Sequence, residues 1–266
     1  MEFGFYVYGL IQEKGKMDES KDESKNGLKG SNESKDELKG LDKEDVKIQD
    51  VDEFAVLYSI AKKERYLASR RNLITHEKVL ESAMEAGYRN LLPMQFGLVV
   101  SEWEKFSQDF TKPCEQQIHD LFTKLKDNRE VGIKIYWEPD AELEKLLEND
   151  KDLKEERDSL KDKKLTMDQV IDIGQKIEQG MNERKQNIIE IFQETLNKMA
   201  IEVIENEVQT EKMIYNAAYL IPWDQEEDFG EKVETIDSKL CERGNFTIRY
   251  NSFTAPYNFA RIRQQD

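Results

Sequence analysis

This chain of 266 residues contains few of the residue types that carry out chemistry in proteins. Its two cysteines, Cys114 and Cys241, are too few for a disulfide framework or a thiolate metal cage, and we expect both to be reduced. Its two histidines, His76 and His119, have no further ligand residues at a recognised metal-binding spacing. We therefore expect both histidines to be structural, and we predict no cofactor and no bound metal.

The motifs of the common hydrolases are also missing. No Gly-rich phosphate loop followed by Lys-Ser or Lys-Thr is present, and no Gly-x-Ser-x-Gly elbow. The many carboxylates occur together with lysines in helical patterns, which is typical of solvated helix faces. The sequence therefore predicts a protein that is not an enzyme.

Membranes and nucleic acids are poor candidates for partners. No apolar run reaches the roughly 18 residues of a membrane-spanning helix, and the N-terminus lacks the basic region and apolar core of a secretory signal. We therefore expect a cytoplasmic protein. The 56 acidic residues exceed the 40 lysines and arginines, and the resulting net charge of -16 repels nucleic acid phosphates and anionic lipids.

Enough apolar material is present for one large domain or two small ones, at 38% hydrophobic and 9% aromatic residues. Apolar segments predict strands at Phe5–Ile11, in the middle of a sheet, and at Phe54–Ile60. Between them, residues 13–50 carry a charged near-repeat with almost no large apolar side chains. We predict that this stretch is a disordered insert, either a passive loop or a tether to a partner.

The remainder of the first domain alternates helices with strands. Thr75 is predicted to cap a helix, and Leu92–Val100 and Val131–Trp137 to be strands on either side of a second helical region. The resulting order of strands and helices departs from the plain ferredoxin-like order, because the second strand precedes the first helix. We therefore predict a modified ferredoxin-like sheet domain over residues 1–138.

The C-terminal half is predicted to form a second domain over residues 139–266. Apolar residues at helical spacing, continuing as far as Val203, predict a helical hairpin over about 140–205 that pairs as a coiled coil. Its apolar stripe is either intramolecular core or a surface that meets a partner. A strand–helix–strand unit is predicted over about 212–263, and the fold class is α+β.

Two short segments combine a proline with alternating large apolar residues. We call Leu91–Gly97 the first motif and Ala255–Phe259 the second motif. The residues singled out in them are Leu92, Pro93, Met94, Phe96, Gly97, Pro256, Tyr257, Asn258 and Phe259. Their alternation is typical of residues that pack a sheet, and direct contact with a partner is the alternative.

A basic cluster lies between the second strand and the first helix. Its members are Lys62, Lys63, Arg65, Arg70 and Arg71. The cluster is either a solvated loop that balances nearby acidic residues or a docking site for an acidic partner.

Five segments, taken together, resemble the gas vesicle protein F/L family (GvpF/GvpL). In chain order they are Tyr6–Leu10 (YVYGL), Thr75–Leu80 (THEKVL), the first motif (LLPMQFG), Lys212–Leu220 (KMIYNAAYL) and the second motif (APYNF). Each is weak alone, but the order and spacing of all five are specific and extend along the whole chain.

The resemblance implies a non-enzymatic accessory protein of gas vesicles, which are hollow, protein-shelled flotation compartments. It implies that the protein is a minor vesicle component that binds the main hydrophobic shell protein and limits its aggregation during nucleation. The expected partners are this shell protein and other gas vesicle accessory proteins, and the expected location is the gas vesicle and the cytoplasm.

Two other functions stay open at this point. The helical hairpin could make the protein a scaffold that bridges other accessory proteins without binding the shell protein. A ligand-sensing regulatory domain is the third possibility, since ferredoxin-like sheets often bind small molecules.

Overall fold

The computed structural model describes residues 3–12, 38–160, 166–241 and 246–262. Within these ranges, none of the helices combines the length and the apolar character that a membrane crossing requires. The fold is α+β, as predicted, and divides into two compact units. Unit 1 comprises Met1–Glu130 and Phe253–Asp266, and unit 2 comprises Val131–Ser252. The predicted boundary at residue 138 is therefore displaced, and the C-terminal residues belong to the N-terminal unit.

Unit 1 is built on one antiparallel sheet. Its strands are β1 (Gly4–Gln12), β2 (Lys47–Val51), β3 (Phe54–Ala61), β4 (Leu91–Pro93) and β5 (Val99–Val100). They follow the order β2-β3-β1-β4, and β5 also pairs with β1. As predicted, β1 lies in the middle of the sheet, and its residues 6–11 are buried.

The helices of unit 1 are α1 (Arg70–Glu85), α2 (Trp103–Phe106) and α3 (Glu115–Leu125), with a π-helical turn at Ser107–Thr111 between the last two. The N-cap of α1 is Ser69, whose side chain accepts from the backbone N–H of Asn72, so Thr75 is not the cap but lies inside the helix. The apolar residues of α1 at helical spacing, Val79, Leu80, Ala83 and Met84, are buried. Helix α1 contacts β1 and β4, and α3 contacts β4.

The disorder predicted for residues 13–50 is wrong at its C-terminal end. Residues 13–37 lie outside the described residues, but the chain from residue 38 onward is folded. Leu41 and Val46 are only 3% and 1% exposed, and the backbone N–H of Leu41 donates to the Tyr8 hydroxyl at 2.8 Å. Strand β2 then pairs with β3. A few well-placed apolar side chains are enough to order a segment whose average composition is strongly charged.

The predicted strand Leu92–Val100 is broken into β4 and β5. The chain leaves the sheet after Pro93 and returns at Val99, and Gly97 between them has φ 99°, a conformation that glycine adopts without strain. The predicted strand Val131–Trp137 exists, but it lies in the sheet of unit 2 rather than in the first sheet.

Unit 2 combines a second sheet with helices. Its strands are β6 (Asn128–Trp137), β7 (Glu202–Glu205), β8 (Met213–Pro222) and β9 (Phe246–Thr254), in the order β7-β8-β6-β9. Its helices are α4 (Pro139–Asn149), α5 (Lys151–Leu160), α6 (Met167–Leu196) and α7 (Glu226–Cys241). The chain passes between the two units within β6 and again within β9.

Helix α6 joins two clusters of unit 2. Its C-terminal part, through Ile188, Phe192 and Leu196, belongs to the core shared with the sheet and α7. Its N-terminal part packs against α4 and α5 around Leu146, Leu147 and Leu153. The predicted hairpin is too long at its C-terminal end, because α6 ends at Leu196 and Val203 lies in β7. The side chain of Val203 instead packs against the sheet core.

The approach of β4 to β1 predicts an effect of replacing Gly9. A Cβ atom at Gly9 would lie 2.8 Å from the Leu92 carbonyl oxygen, so the two strands would have to move apart. We expect Gly9→Ala to lower the free energy of unfolding by about 1–3 kcal/mol, measured by urea denaturation. The control is Gly174→Ala in α6, where no atom lies within 4 Å of the added carbon. It should raise the free energy by about 0.5–1 kcal/mol, and equal effects of the two replacements would contradict this account.

Candidate functional site

The two motifs, far apart in sequence, line one groove of about 890 Å³ in unit 1. We call it the motif groove. Its lining residues are Pro93, Met94, Gln95, Phe96, Leu98, Phe110, Tyr257, Ala260, Arg261 and Ile262. Most of the lining residues are apolar or aromatic, and both motifs contribute an aromatic ring, but Gln95 and Arg261 add polar groups to the lining.

Backbone hydrogen bonds hold the first motif at the sheet edge. After β4, the backbone N–H of Met94 still donates to the carbonyl of Tyr8 at 2.8 Å. The chain then leaves β1 and returns where the N–H of Val7 donates to the carbonyl of Leu98 at 3.0 Å. The residues between these two bonds form a loop that carries Phe96 to the groove.

Buried hydrogen bonds through two side chains, Tyr6 and His76, support this loop, and we call them the relay. The backbone N–H of Gly97 donates to the Tyr6 hydroxyl at 2.9 Å, and that hydroxyl lies 3.0 Å from Nδ1 of His76. Nε2 of His76 lies 3.2 Å from the carbonyl oxygen of Met94. A carbonyl only accepts, so Nε2 carries the proton, and Nδ1 accepts from Tyr6. The relay therefore uses a neutral imidazole and ties both ends of the loop to β1 and α1.

Burial keeps this relay in one protonation state. His76 is 2% exposed, and burial lowers its pKa to about 4. Burial also raises the pKa of Tyr6 well above its usual range. At neutral pH both groups are therefore uncharged, which is the state that the hydrogen bonds of the relay require.

A buried carboxylate holds the second motif. The backbone N–H and the side-chain Nδ2 of Asn258 donate to the two carboxylate oxygens of Glu130, at 2.9 and 2.6 Å. Glu130 is 4% exposed, and burial raises its pKa to about 7 against the opposing effect of these hydrogen bonds. Each carboxylate oxygen of Glu130 thus accepts one hydrogen bond from Asn258 of the second motif.

Glu77 of α1 holds the beginning of the same segment. Its Oε1 accepts from the Thr254 hydroxyl at 3.3 Å and from the backbone N–H of Ala255 at 3.4 Å. The Tyr257 hydroxyl also bonds to Glu77, and burial together with this carboxylate raises the pKa of Tyr257 well above its usual range. Two carboxylates, Glu77 and Glu130, therefore fix the position of Tyr257 in the groove wall.

An exposed apolar surface adjoins the motif groove. A second depression is lined by Leu73, Ile74, His76, Glu77, Phe96 and Tyr257, so it shares Phe96 and Tyr257 with the motif groove. Leu73 and Ile74 are 43% and 44% exposed, although they are large apolar residues on α1. We call Leu73, Ile74, Phe96 and Tyr257 the apolar rim.

The predicted motif residues divide into two groups. The buried group contains Leu92, Pro93, Met94, Pro256 and Phe259, and the half-buried group contains Phe96, Gly97, Tyr257 and Asn258. In the first group, Leu92, Pro256 and Phe259 pack the interior of unit 1, whereas Pro93 and Met94 also line the motif groove. Of the second group, Phe96 and Tyr257 line the motif groove, while Gly97 and Asn258 hold the loop and the C-terminal segment through hydrogen bonds.

Sequence reasoning did not find the residues that support the site. Glu130 and Glu77 are two among 56 acidic residues, and no local pattern marks them. Leu73 and Ile74 precede Thr75, the predicted cap, and so lie outside the predicted helix. The observed cap is Ser69, two residues after Leu67, which is 83% exposed.

Comparison with known proteins identifies relatives along the whole chain. The family described as "Gas vesicle synthesis protein GvpL/GvpF" matches residues 4–261. Gas vesicle protein F of Dolichospermum flosaquae is 54% identical over 84% of this chain and 90% of the relative, and that of Microcystis aeruginosa is 47% identical over 98% and 100%. The crystal structure of GvpF from Anabaena sp. PCC7120 matches with a TM-score of 0.80 at 44% identity, over 100% of this chain and 99% of that one.

The raised pKa of Glu130 predicts a pH-dependent stability. The folded protein binds the Glu130 proton more tightly than the unfolded chain does. The contribution of Glu130 to the free energy of unfolding is therefore complete below the unfolded pKa of 4.5, and it is lost as the pH rises through about 7. Urea denaturation should show that the free energy of unfolding of the native protein, relative to Glu130→Gln, falls by about 3 kcal/mol from pH 4 to pH 8.

The matched control is Glu104→Gln, which replaces an exposed glutamate of the same unit. Its free energy of unfolding should follow that of the native protein at every pH. If the profiles of the native protein and Glu130→Gln run parallel, Glu130 is not the group responsible.

Proposed function

Because the chain belongs to the GvpL/GvpF family of gas vesicle synthesis proteins, we propose that it is an accessory protein that binds the main hydrophobic shell protein during vesicle nucleation. In this proposal it acts by binding rather than by catalysis. It limits aggregation of the shell protein in the cytoplasm and stays with the gas vesicle as a minor component. Neither a membrane nor a nucleic acid is required as a partner.

The observation that carries this proposal is the apolar rim beside the motif groove. Single exposed apolar side chains are common on protein surfaces, but several large ones in one place are not typical of a protein with net charge -16 and many solvated helix faces. Leu73 and Ile74 nevertheless line one depression with Phe96 and Tyr257, which also line the motif groove of about 890 Å³. Exposed apolar patches next to a concave surface are typical of protein-binding sites.

The charges around the rim favour a particular kind of segment. Lys62 and Lys63 of the basic cluster pair with Glu44 and Asp42, which agrees with a balanced loop. Arg65, Arg70 and Arg71 are exposed, and within the described ranges they take part in no ion pair. They lie just before and at the start of α1, which carries Leu73 and Ile74. The surface therefore suits an apolar segment flanked by acidic residues.

The chemistry of the shell protein makes such binding useful. A subunit that polymerises through strands and apolar surfaces aggregates unless those surfaces are covered. Binding to the apolar rim would cover one such surface, and the acidic body of the accessory protein would keep the complex soluble. The apolar rim and the edge of the growing shell would compete for the same surface of the subunit, and the subunit would be released when the shell edge binds it more tightly.

A second candidate function is a scaffold that bridges other accessory proteins. One observation favours it: Met167, Val170 and Ile171, at the N-terminal end of α6, are 76%, 47% and 50% exposed. This apolar end of the helix is distinct from the apolar rim, so the two functions can be tested separately.

The test is co-expression with the shell protein followed by sedimentation. The native chain should raise the soluble fraction of shell protein, and the double replacement Leu73→Glu with Ile74→Glu should abolish this increase, because two charges in the rim oppose burial against an apolar segment. Both side chains are already partly exposed, so the melting temperature of the variant should change little.

The control is Ile171→Glu, which places one glutamate on the exposed apolar end of α6. It should leave the soluble fraction of shell protein as high as the native chain does. If the native chain leaves shell protein in the pellet, and only Ile171→Glu disrupts pull-down of other vesicle proteins, the scaffold function is correct instead.

A further inference from the structure

Three potential metal ligands converge at one surface of unit 1, away from the motif groove. They are Glu53, Glu115 and His119, and one ligand atom of each lies within 4.8 Å of the others. Glu115 and His119 are four residues apart on α3, which places them on the same helix face. Glu53 comes from the two-residue turn between β2 and β3.

The turn that carries Glu53 is anchored to the segment before α3. Asp52 has φ 55°, and its carboxylate accepts from the hydroxyls of Ser107, at 3.0 Å, and Thr111. The position of Glu53 relative to α3 is therefore set before any ion binds, which reduces the entropy cost of binding.

His119 is oriented for coordination. Its Nε2 lies 3.0 Å from Oε2 of Glu53, and its ring packs on Phe54 with centroids 5.1 Å apart. The other histidine, His76, has both ring nitrogens bonded inside unit 1 and has no nitrogen left for an ion. His119 thus supplies the accessible imidazole among the described residues.

The charges at this surface favour a cation. Among the residues that the structure describes, neither Glu53 nor Glu115 forms an ion pair with a lysine or arginine. Nearby Lys112 lies 4.0 Å from Asp52 instead. Two carboxylates that face one imidazole would therefore be neutralised by a divalent ion.

We propose that Glu53, Glu115 and His119 form a surface site for a divalent transition-metal ion, with Zn²⁺ as the best fit. One imidazole nitrogen and two carboxylate oxygens are ligands that Zn²⁺ accepts, and the exposed position leaves the fourth coordination site to water. Calcium and magnesium prefer sites made of oxygen atoms alone. The bound ion would join the β2–β3 turn to α3 and would not touch the apolar rim.

The test is calorimetric titration of the full chain with Zn²⁺ after treatment with a chelator. The native protein should bind one ion at this site, and His119→Ala, Glu53→Gln and Glu115→Gln should each weaken that binding at least about tenfold. The control Asp120→Asn, which changes a neighbouring acidic residue on the same helix, should bind like the native protein.

A second measurement separates loss of the site from loss of the fold. Zn²⁺ should raise the melting temperature of the native chain and of Asp120→Asn, because it binds only the folded site, but not that of His119→Ala. Without metal, His119→Ala should have the same circular dichroism spectrum as the native chain. Absence of Zn²⁺ binding to the native chain, or equal binding by His119→Ala, would overturn the proposal.

Discussion

The hydrogen bonds between Asn258 and the buried carboxylate of Glu130 are the interaction on which the candidate site depends. They join residues 128 positions apart and bring the end of the chain back to the unit in which it begins. Tyr257, next to Asn258, lines the groove on a segment that these bonds hold, and Phe96, which also lines it, lies on the loop held by the separate relay through Tyr6 and His76. The surface that we propose for binding is therefore a product of two buried polar networks rather than of apolar packing alone.

These polar networks oppose the collapse of an exposed apolar binding surface. An exposed surface of large apolar side chains gains free energy if it collapses inward, and flexible loops would allow this. Phe96 lies on a loop whose two ends are tied to buried groups, and the Tyr257 hydroxyl is bonded to Glu77, so moving the loop or the Tyr257 side chain inward breaks hydrogen bonds. The net charge of -16 addresses the complementary problem, since it opposes self-association of copies that carry the same rim.

The sequence predicted the positions of strands and helices better than it predicted which strands pair in each sheet. The apolar segments Phe5–Ile11 and Phe54–Ile60 are local signals, and they are observed as the strands β1 and β3. The apolar residues of β6, such as Val131 and Ile133, alternate equally well for either sheet, and only long-range pairing decides that β6 joins the second. Residues 38–51 fold because Leu41 and Val46 reach buried positions, which an average over a charged window does not reveal. The two motifs were found, but the carboxylates that hold them carry no local signal.

The two buried ionisable groups beneath the site titrate in opposite directions. His76 is neutral in the folded protein with a pKa lowered to about 4, so its contribution to stability is complete above 6.5 and is lost as the pH falls towards 4. Glu130 has a pKa raised to about 7, so its contribution is complete below 4.5 and is lost as the pH rises. Between pH 4.5 and 6.5, the contributions of His76 and Glu130 to the free energy of unfolding change with pH by similar amounts and in opposite directions, so they largely cancel. The summed contribution of His76 and Glu130 to the free energy of unfolding is therefore nearly independent of pH between 4.5 and 6.5, although each contribution alone depends on pH.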